Sequence, residues 1–182
     1  MATPTLKTVG WGALALIAGG ALLALATRGE PSGTGLARFE AAGPMVQVTP
    51  ERVTAVELRS AERRWRFVRT ARGGWAAAPG SLPGAADLGA QVEAGLRFLH
   101  ASAPQRVLDR DEVRAASLDE MGLSHPRLTV TVFAAEGVAF AVDLGGPTPQ
   151  GFAQYARVAG SDEVLLLNRY LGEAWARAVA AP

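Results

Sequence analysis

Residues 128–144, LTVTVFAAEGVAFAVDL, carry the pattern that decides the fold of this chain. Apolar side chains alternate along both halves of the stretch, and alternation with a period of two is typical of a half-buried β-strand. Glu136 and Gly137 separate the halves, and glycine readily adopts the positive φ of a tight hairpin turn. The stretch therefore predicts an antiparallel β-hairpin. Its alternating residues are Leu128, Val130 and Val132 in the first strand and Val138, Phe140, Val142 and Leu144 in the second.

Further strands are expected on both sides of this hairpin. Upstream they cover residues 54–58, 64–69 and 75–78, and downstream they cover 153–158 and 163–167. Short turn sequences rich in glycine and polar residues separate them. Because strands joined by such short turns are antiparallel, the pattern predicts an antiparallel sheet built of meanders and hairpins.

Three helical segments complete the pattern. The first begins after Asp87 and ends before Pro104, which cannot continue a helix. Short helical turns are expected within residues 109–121, where 117–120 matches a capping box. Asn168 is the expected N-cap of the last helix. The apolar residues that recur at helical spacing are Leu88, Val92, Leu96 and Leu99 in the first helix and Leu171, Trp175 and Val179 in the last.

The resulting order of elements is three strands, a helix, a short helix, four strands and a helix, which is an α+β pattern. The helices are expected to cover one face of the antiparallel sheet, because a sheet must bury its apolar face. One buried cluster is expected to hold the main core residues, which are Trp75, Leu96, Leu99, Val130, Val132, Phe140 and Leu165.

An uncharged run near the N-terminus predicts a membrane segment. Residues 9–26 would form about 27 Å of helix, close to the thickness of a bilayer core. We expect residues 9–27 to be an N-terminal transmembrane helix, so that 1–27 is a membrane anchor. A signal peptide cleaved after Ala26 is the alternative, because residues 24–26 fit the A-x-A pattern.

An anchor and a cleaved signal peptide would both send residues 28–182 across the membrane. Residues 28–44 are rich in glycine, proline and small polar residues and are expected to form a linker. Residues 45–182 then form one extracytoplasmic (periplasmic) domain. The expected location is the inner membrane, crossed once, with the C-terminal domain outside the cytoplasm.

The anchor prediction can be tested by placing a charge in the middle of the run. Leu16→Arg is expected to release the chain from the membrane or to abolish the membrane-held protein, because a central charge costs about 2.5–3.5 kcal/mol on insertion scales. Fractionation of cells followed by immunoblotting measures the membrane-held share. A mature protein that begins at Thr27 would instead identify a cleaved signal peptide.

Charge and motifs exclude several classes of function. The net charge of +1 argues against nucleic-acid binding, and no cysteine is present for a disulfide or a lipid anchor. The acidic residues of 109–112 lack the glycine and final glutamate of a calcium loop and are interpreted as a helix start. His100 has no ligand partner in the sequence, and the adjacent Ser124 and His125 point apart. We expect no enzyme, no cofactor and no metal site.

A series of motifs resembles the domain-of-unknown-function 4340 (DUF4340) family over nearly all of residues 53–172. The motifs are Gly74-Trp75, Pro79, Ala86-Asp87, Met121-Gly122-Leu123, Pro126, Leu144-Gly145, Pro149, Gly151, Tyr155-Ala156-Arg157 and Val164-Leu165-Leu166-Leu167. The resemblance implies an N-terminal membrane helix and an extracytoplasmic α+β domain. Some relatives are associated with ABC-type transport systems, and many carry more than one such unit where this chain has one. No activity or catalytic residue is established for the family.

These observations favour a non-catalytic, membrane-anchored accessory subunit of a multiprotein envelope complex, whose domain contacts integral membrane or envelope proteins. The candidate contact residues are Tyr170, Trp175, Tyr155 and Arg157, although Leu171 and Trp175 could equally close the core. Tyr155 and Arg157 share one side of their strand and could instead form cross-strand pairs. The alternative function is an extracytoplasmic domain that binds a ligand, such as a glycan or another envelope component. A flat apolar patch would indicate a partner, and a lined groove would indicate a ligand.

Overall fold

Eight strands form one antiparallel sheet with three helices in the computed structural model, which describes residues 42–180. The strands are β1 (Ala55–Arg59), β2 (Arg64–Arg69), β3 (Trp75–Ala77), β4 (Arg106–Leu108), β5 (Leu128–Ala134), β6 (Gly137–Pro147), β7 (Ala153–Val158) and β8 (Val164–Asn168). The helices are α1 (Leu88–Ala101), α2 (Arg110–Ala116) and α3 (Arg169–Ala178), and a short 3-10 helix covers Pro50–Arg52. The strand order is β3-β2-β1-β5-β6-β7-β8-β4. The predicted α+β class with an antiparallel sheet is confirmed.

The predicted hairpin is present as β5 and β6, at the middle of the sheet. Val130 lies opposite Val142, and both side chains are fully buried. The turn consists of residues 135–136, one position earlier than predicted, and Gly137 opens β6 with a φ of 115°. Glycine is therefore needed beside the turn rather than within it.

One residue of the predicted apolar face is placed differently. The register shifts between Val132 and Phe133, so Val132 pairs with Phe140 but Phe133 pairs with Val138. An extra residue in one strand reverses the alternation of side chains beyond it. Val138 is consequently 66% exposed, and its predicted place on the buried face is wrong.

The main core lies between the sheet and the helices α1 and α3. Helix α1 buries the predicted stripe of Leu88, Val92, Leu96 and Leu99. Of the seven predicted core residues, Leu96, Leu99, Val130, Val132 and Leu165 are buried in this cluster, and Trp75 and Phe140 pack against it while partly exposed.

The two long helices approach each other closely at Gly95. A Cβ atom at this position would lie 2.5 Å from Cε2 of Trp175, which is closer than side chains tolerate. Gly95 in α1 therefore provides the space in which the indole ring of α3 lies. Trp175 is fully buried, and its Nε1 has no hydrogen-bond partner among residues 42–180.

The opposite face of the sheet carries a second, smaller core under α2, so the expectation that the helices cover one face holds for α1 and α3 but is wrong for α2. Leu108, Met121, Leu123 and Val164 form it. The capping box lies at the start of α2, where the Asp109 side chain accepts from two backbone N–H groups and Glu112 reaches back to Asp109 N. The capping box expected at residues 117–120 is present only in part: Ser117 Oγ accepts from Glu120 N at 3.3 Å, but residues 118–122 form turns and no helix follows. Strand β4, which pairs with β8 at the sheet edge, was not predicted.

The folded domain begins earlier than the predicted linker boundary. Gly43 N donates to His100 O at 2.9 Å, and Met45 N donates to Leu99 O at 2.9 Å. These donors satisfy carbonyl groups at the end of α1, which have no partner within the helix. Met45 is 1% exposed. Gly43 and Pro44, expected in the linker, therefore belong to the domain.

The anchor predicted at residues 9–27 and most of the predicted linker, residues 28–41, lie outside the described residues. From residue 42 to residue 180, no helix combines the length and hydropathy needed to cross a membrane.

Candidate functional site

The candidate site surrounds the N-terminal half of α3. Asn168 Oδ1 accepts from Tyr170 N at 3.1 Å, which confirms the predicted N-cap. Arg169 N donates to Phe152 O at 3.3 Å. This hydrogen bond joins the start of α3 to the loop between β6 and β7, so residues from both elements form one surface.

Two aromatic side chains project from this surface, and we call Phe152 and Tyr170 the aromatic patch. Phe152 is 78% exposed and Tyr170 is 65% exposed. They flank a shallow hollow of about 490 Å³ that is also lined by Gln105, Gln150, Gly151, Asn168, Arg169 and Glu173. Exposed aromatic rings with polar neighbours are the composition typical of protein contact sites.

The loop that carries Phe152 is held by its own hydrogen bonds. Thr148 is 7% exposed, and its Oγ1 donates to Ala153 O at 3.2 Å. Gly151 N donates to Thr148 O at 2.8 Å, and Gly151 has a φ of 75°, which favours glycine. The ring of Phe152 is therefore presented from an ordered turn.

A second feature is an apolar cleft of about 500 Å³ between α3 and the sheet, which we call the α3 cleft. Its lining residues are Ser60, Trp65, Arg127, Leu128, Leu144, Gly145, Pro147, Gln154, Arg169, Gly172, Glu173, Ala176 and Val179. Helix α3 packs on α1, β7 and β8, and the cleft opens over the ends of β5 and β6.

Charged groups stand along α3 beside this cleft. Arg169 Nε lies 2.7 Å from Glu173 Oε1, and Arg177 lies 3.8 Å from Glu173 Oε2. Arg127, on the sheet side, has no ion-pair partner within residues 42–180. Two guanidinium groups therefore pair with the one carboxylate of Glu173, and the unpaired Arg127 adds a further positive charge to the region.

The structure separates the predicted contact residues. Tyr170 is exposed as the proposal of a contact requires, but Trp175 is fully buried and its prediction as a contact residue is wrong. A separation of five residues turns the side chain by about 140° around a helix, so the two rings lie on different faces. Trp175 closes the core, which was the alternative interpretation.

Tyr155 and Arg157 lie on the other face of the sheet from α3. Tyr155 pairs with Leu166 and packs against the core under α2. Arg157 pairs with Asp143, and their side chains are 3.8 Å apart. Both residues thus form cross-strand pairs at a sheet surface, and they do not join Tyr170 in one site.

Phe152 was missed because the predicted strand began at Ala153. The available signal was a large aromatic residue that directly follows a turn glycine and belongs to no alternating or helical pattern. Such a residue has no expected place in the core, and it is therefore a candidate for surface contact.

The remaining polar candidates have structural explanations. The acidic residues at the start of α2 cap that helix, as predicted. His125 lies 3.9 Å from Asp119, with both side chains largely exposed. Across residues 42–180, no group of three or more histidine or acidic residues is arranged to hold a metal ion.

Comparison of the chain with protein-family models, curated proteins and solved structures found no match. The resemblance to the DUF4340 family stays a prediction.

Proposed function

We propose that this chain is a non-catalytic, membrane-anchored accessory subunit of a multiprotein envelope complex. Its α+β domain contacts another membrane or envelope protein, and an ABC-type transport system is the kind of complex that the family resemblance implies. The observation that carries the proposal is the aromatic patch, where Phe152 and Tyr170 are 78% and 65% exposed.

The position of the patch supports a contact role. Its two rings come from an ordered turn and from the capped first turn of a helix, so the backbone that carries them is fixed before binding. Contact residues that are already ordered lose less conformational entropy when they bind. Tyrosine is also enriched among the residues that contribute most to binding energy.

The expected anchor and linker also support the proposal. An anchor restricts the domain to the membrane surface and raises its effective concentration for a membrane-bound neighbour. We therefore expect that a modest interface centred on two aromatic residues can suffice.

The proposal predicts that the double variant Phe152→Ala/Tyr170→Ala loses its partner. Loss of two central aromatic contacts costs at least about 2 kcal/mol of binding, or roughly thirtyfold in affinity. Purification of the tagged full chain in mild detergent, with quantitative mass spectrometry of the recovered proteins, measures the effect. The variant is expected to keep the parental unfolding midpoint, because both side chains are exposed.

Val138→Ala is the matched control, because Val138 is 66% exposed but belongs to the distant β5–β6 hairpin. It is expected to retain all partners. A folded double variant that retains its partners would remove the aromatic patch from the interface. A full-length parent that purifies alone would contradict the accessory-subunit proposal itself.

A second candidate function is the binding of a small extracytoplasmic ligand. The α3 cleft favours it, because its volume of about 500 Å³ is typical of small-molecule sites.

A further inference from the structure

The α3 cleft has the size and composition of a binding site for a small molecule. Small-molecule sites occupy roughly 300–1,000 Å³, are mostly apolar and carry a few polar groups that orient the ligand. The cleft holds about 500 Å³ and is lined by apolar residues together with Arg127 and Arg169.

The cleft is open because the residues of α3 that face it are small, and larger side chains there would fill it. Gly172 and Ala176 stand one helical turn apart on the side of α3 that faces the cleft. A Cβ atom at Gly172 would lie 1.9 Å from Gln154 Oε1, so this glycine also makes room for the Gln154 side chain.

The floor of the cleft is hydrocarbon and aromatic. Trp65, Leu128 and Leu144 contribute to it, and they are 6%, 8% and 1% exposed. Hydroxyl groups turned toward this part of the floor would find no hydrogen-bond partner there, which costs free energy. An alkyl chain would bury apolar surface there at no such cost.

The charged groups at the cleft favour a ligand whose polar end is an anion. Both oxygens of the Glu173 carboxylate face arginine, with Arg169 at 2.7 Å and Arg177 at 3.8 Å. Arg127 lines the cleft from the sheet side and has no salt bridge within the described part of the chain. The excess positive charge attracts an anion, and guanidinium groups match a carboxylate or phosphate in shape.

We propose that the α3 cleft binds a single-chain amphiphile with an anionic head group. The alkyl chain lies on Trp65, Leu128 and Leu144, and the head group lies between Arg127 and Arg169. Neither Phe152 nor Tyr170 lines this site, although Arg169 and Glu173 line both the cleft and the hollow beside the aromatic patch. The proposal adds ligand binding to a domain whose proposed role is protein contact.

The test uses the full chain in phosphatidylcholine nanodiscs and a dodecanoate probe that carries a diazirine on its alkyl chain. After irradiation, mass spectrometry of peptides identifies the labelled residues. We expect labels on peptides that line the cleft, and we expect unlabelled dodecanoate to suppress them. Dodecanol, which lacks the charge, is expected to compete about tenfold less well.

Two matched pairs of variants locate the site. Ala176→Phe fills the cleft, and Ala90→Phe makes the same change at an exposed position of α1 outside it. Arg127→Gln removes a charge from the cleft, whereas Arg97→Gln removes one from the exposed surface of α1. We expect about a tenfold loss of cleft labelling in the first member of each pair and no loss in the second.

Several results would overturn the proposal. Labels confined to residues outside the cleft would do so, as would equal competition by dodecanol and dodecanoate. Equal labelling of Ala176→Phe and Ala90→Phe would also contradict it. Because the competition experiment uses the parental chain, it decides the question even if a variant fails to fold.

Discussion

Replacing Trp175 by alanine is expected to lower the free energy of unfolding by about 3–5 kcal/mol. The indole ring is fully buried where α3 crosses α1, and it fills the space that Gly95 leaves open. Alanine would leave a cavity between the two helices, and both the buried surface and the packing contacts of the ring would be lost. Guanidinium unfolding of the full chain in mild detergent, followed by circular dichroism, measures the change.

Trp175→Phe is the matched control for this prediction. Phenylalanine keeps much of the ring volume, and the indole Nε1 has no hydrogen bond within residues 42–180 that the change would break. We therefore expect a clearly smaller loss of stability than for Trp175→Ala. Equal stability of Trp175→Ala and the parent would show that Trp175 does not close the core. A partner lost in the alanine variant would report unfolding and not a missing contact.

Leu96→Ala is expected to cost about 2–5 kcal/mol, the range measured for large-to-small changes in cores. Leu96 lies at the centre of the buried stripe of α1 and is 0% exposed. The loss includes the removed hydrocarbon and the cavity that the surrounding sheet and α3 cannot fill. The same unfolding experiment measures it.

Phe98→Ala in the same helix is the control for Leu96→Ala. Phe98 is 37% exposed and lies outside the main core cluster. Its truncation is expected to change stability less than that of Leu96. If Leu96→Ala unfolds at the parental denaturant concentration, the assigned face of α1 is incorrect.

Long periodic segments of this sequence were enough to predict the elements that they form. The stripe of Leu88, Val92, Leu96 and Leu99 gave α1 its correct buried face, and the alternation around Val130 and Val142 gave the central hairpin. In these segments local pattern and tertiary burial agree, because each apolar residue faces the same core.

Strand β4 and the exposure of Val138 could not be predicted in this way. Three residues, Arg106–Leu108, are too few to show a period, and they form a strand only because β8 offers an edge. The side chain of Val138 lies on the exposed face because β6 contains one extra residue in its pairing with β5. Both outcomes depend on pairing between strands, which a local pattern does not contain.

The candidate site was predicted in part, at Tyr170. Periodicity identified α3 but left open whether Trp175 faces the core or a partner, and the tight crossing at Gly95 decides this. The α3 cleft was not predicted, because it depends on side-chain volume missing at Gly172 and Ala176. Its walls also come from segments far apart in the sequence, such as Trp65 and Arg127.

The attachment of Gly43 and Met45 to the end of α1 has a mechanical consequence. Tension carried along the chain from the N-terminal side enters the domain at this point. It acts first on the hydrogen bonds to His100 O and Leu99 O and on the buried Met45 side chain. The load thus reaches the end of α1 before it reaches β1, which lies inside the sheet and not at its edge, so we expect pulling on the N-terminal segment to strain α1 before it separates a strand.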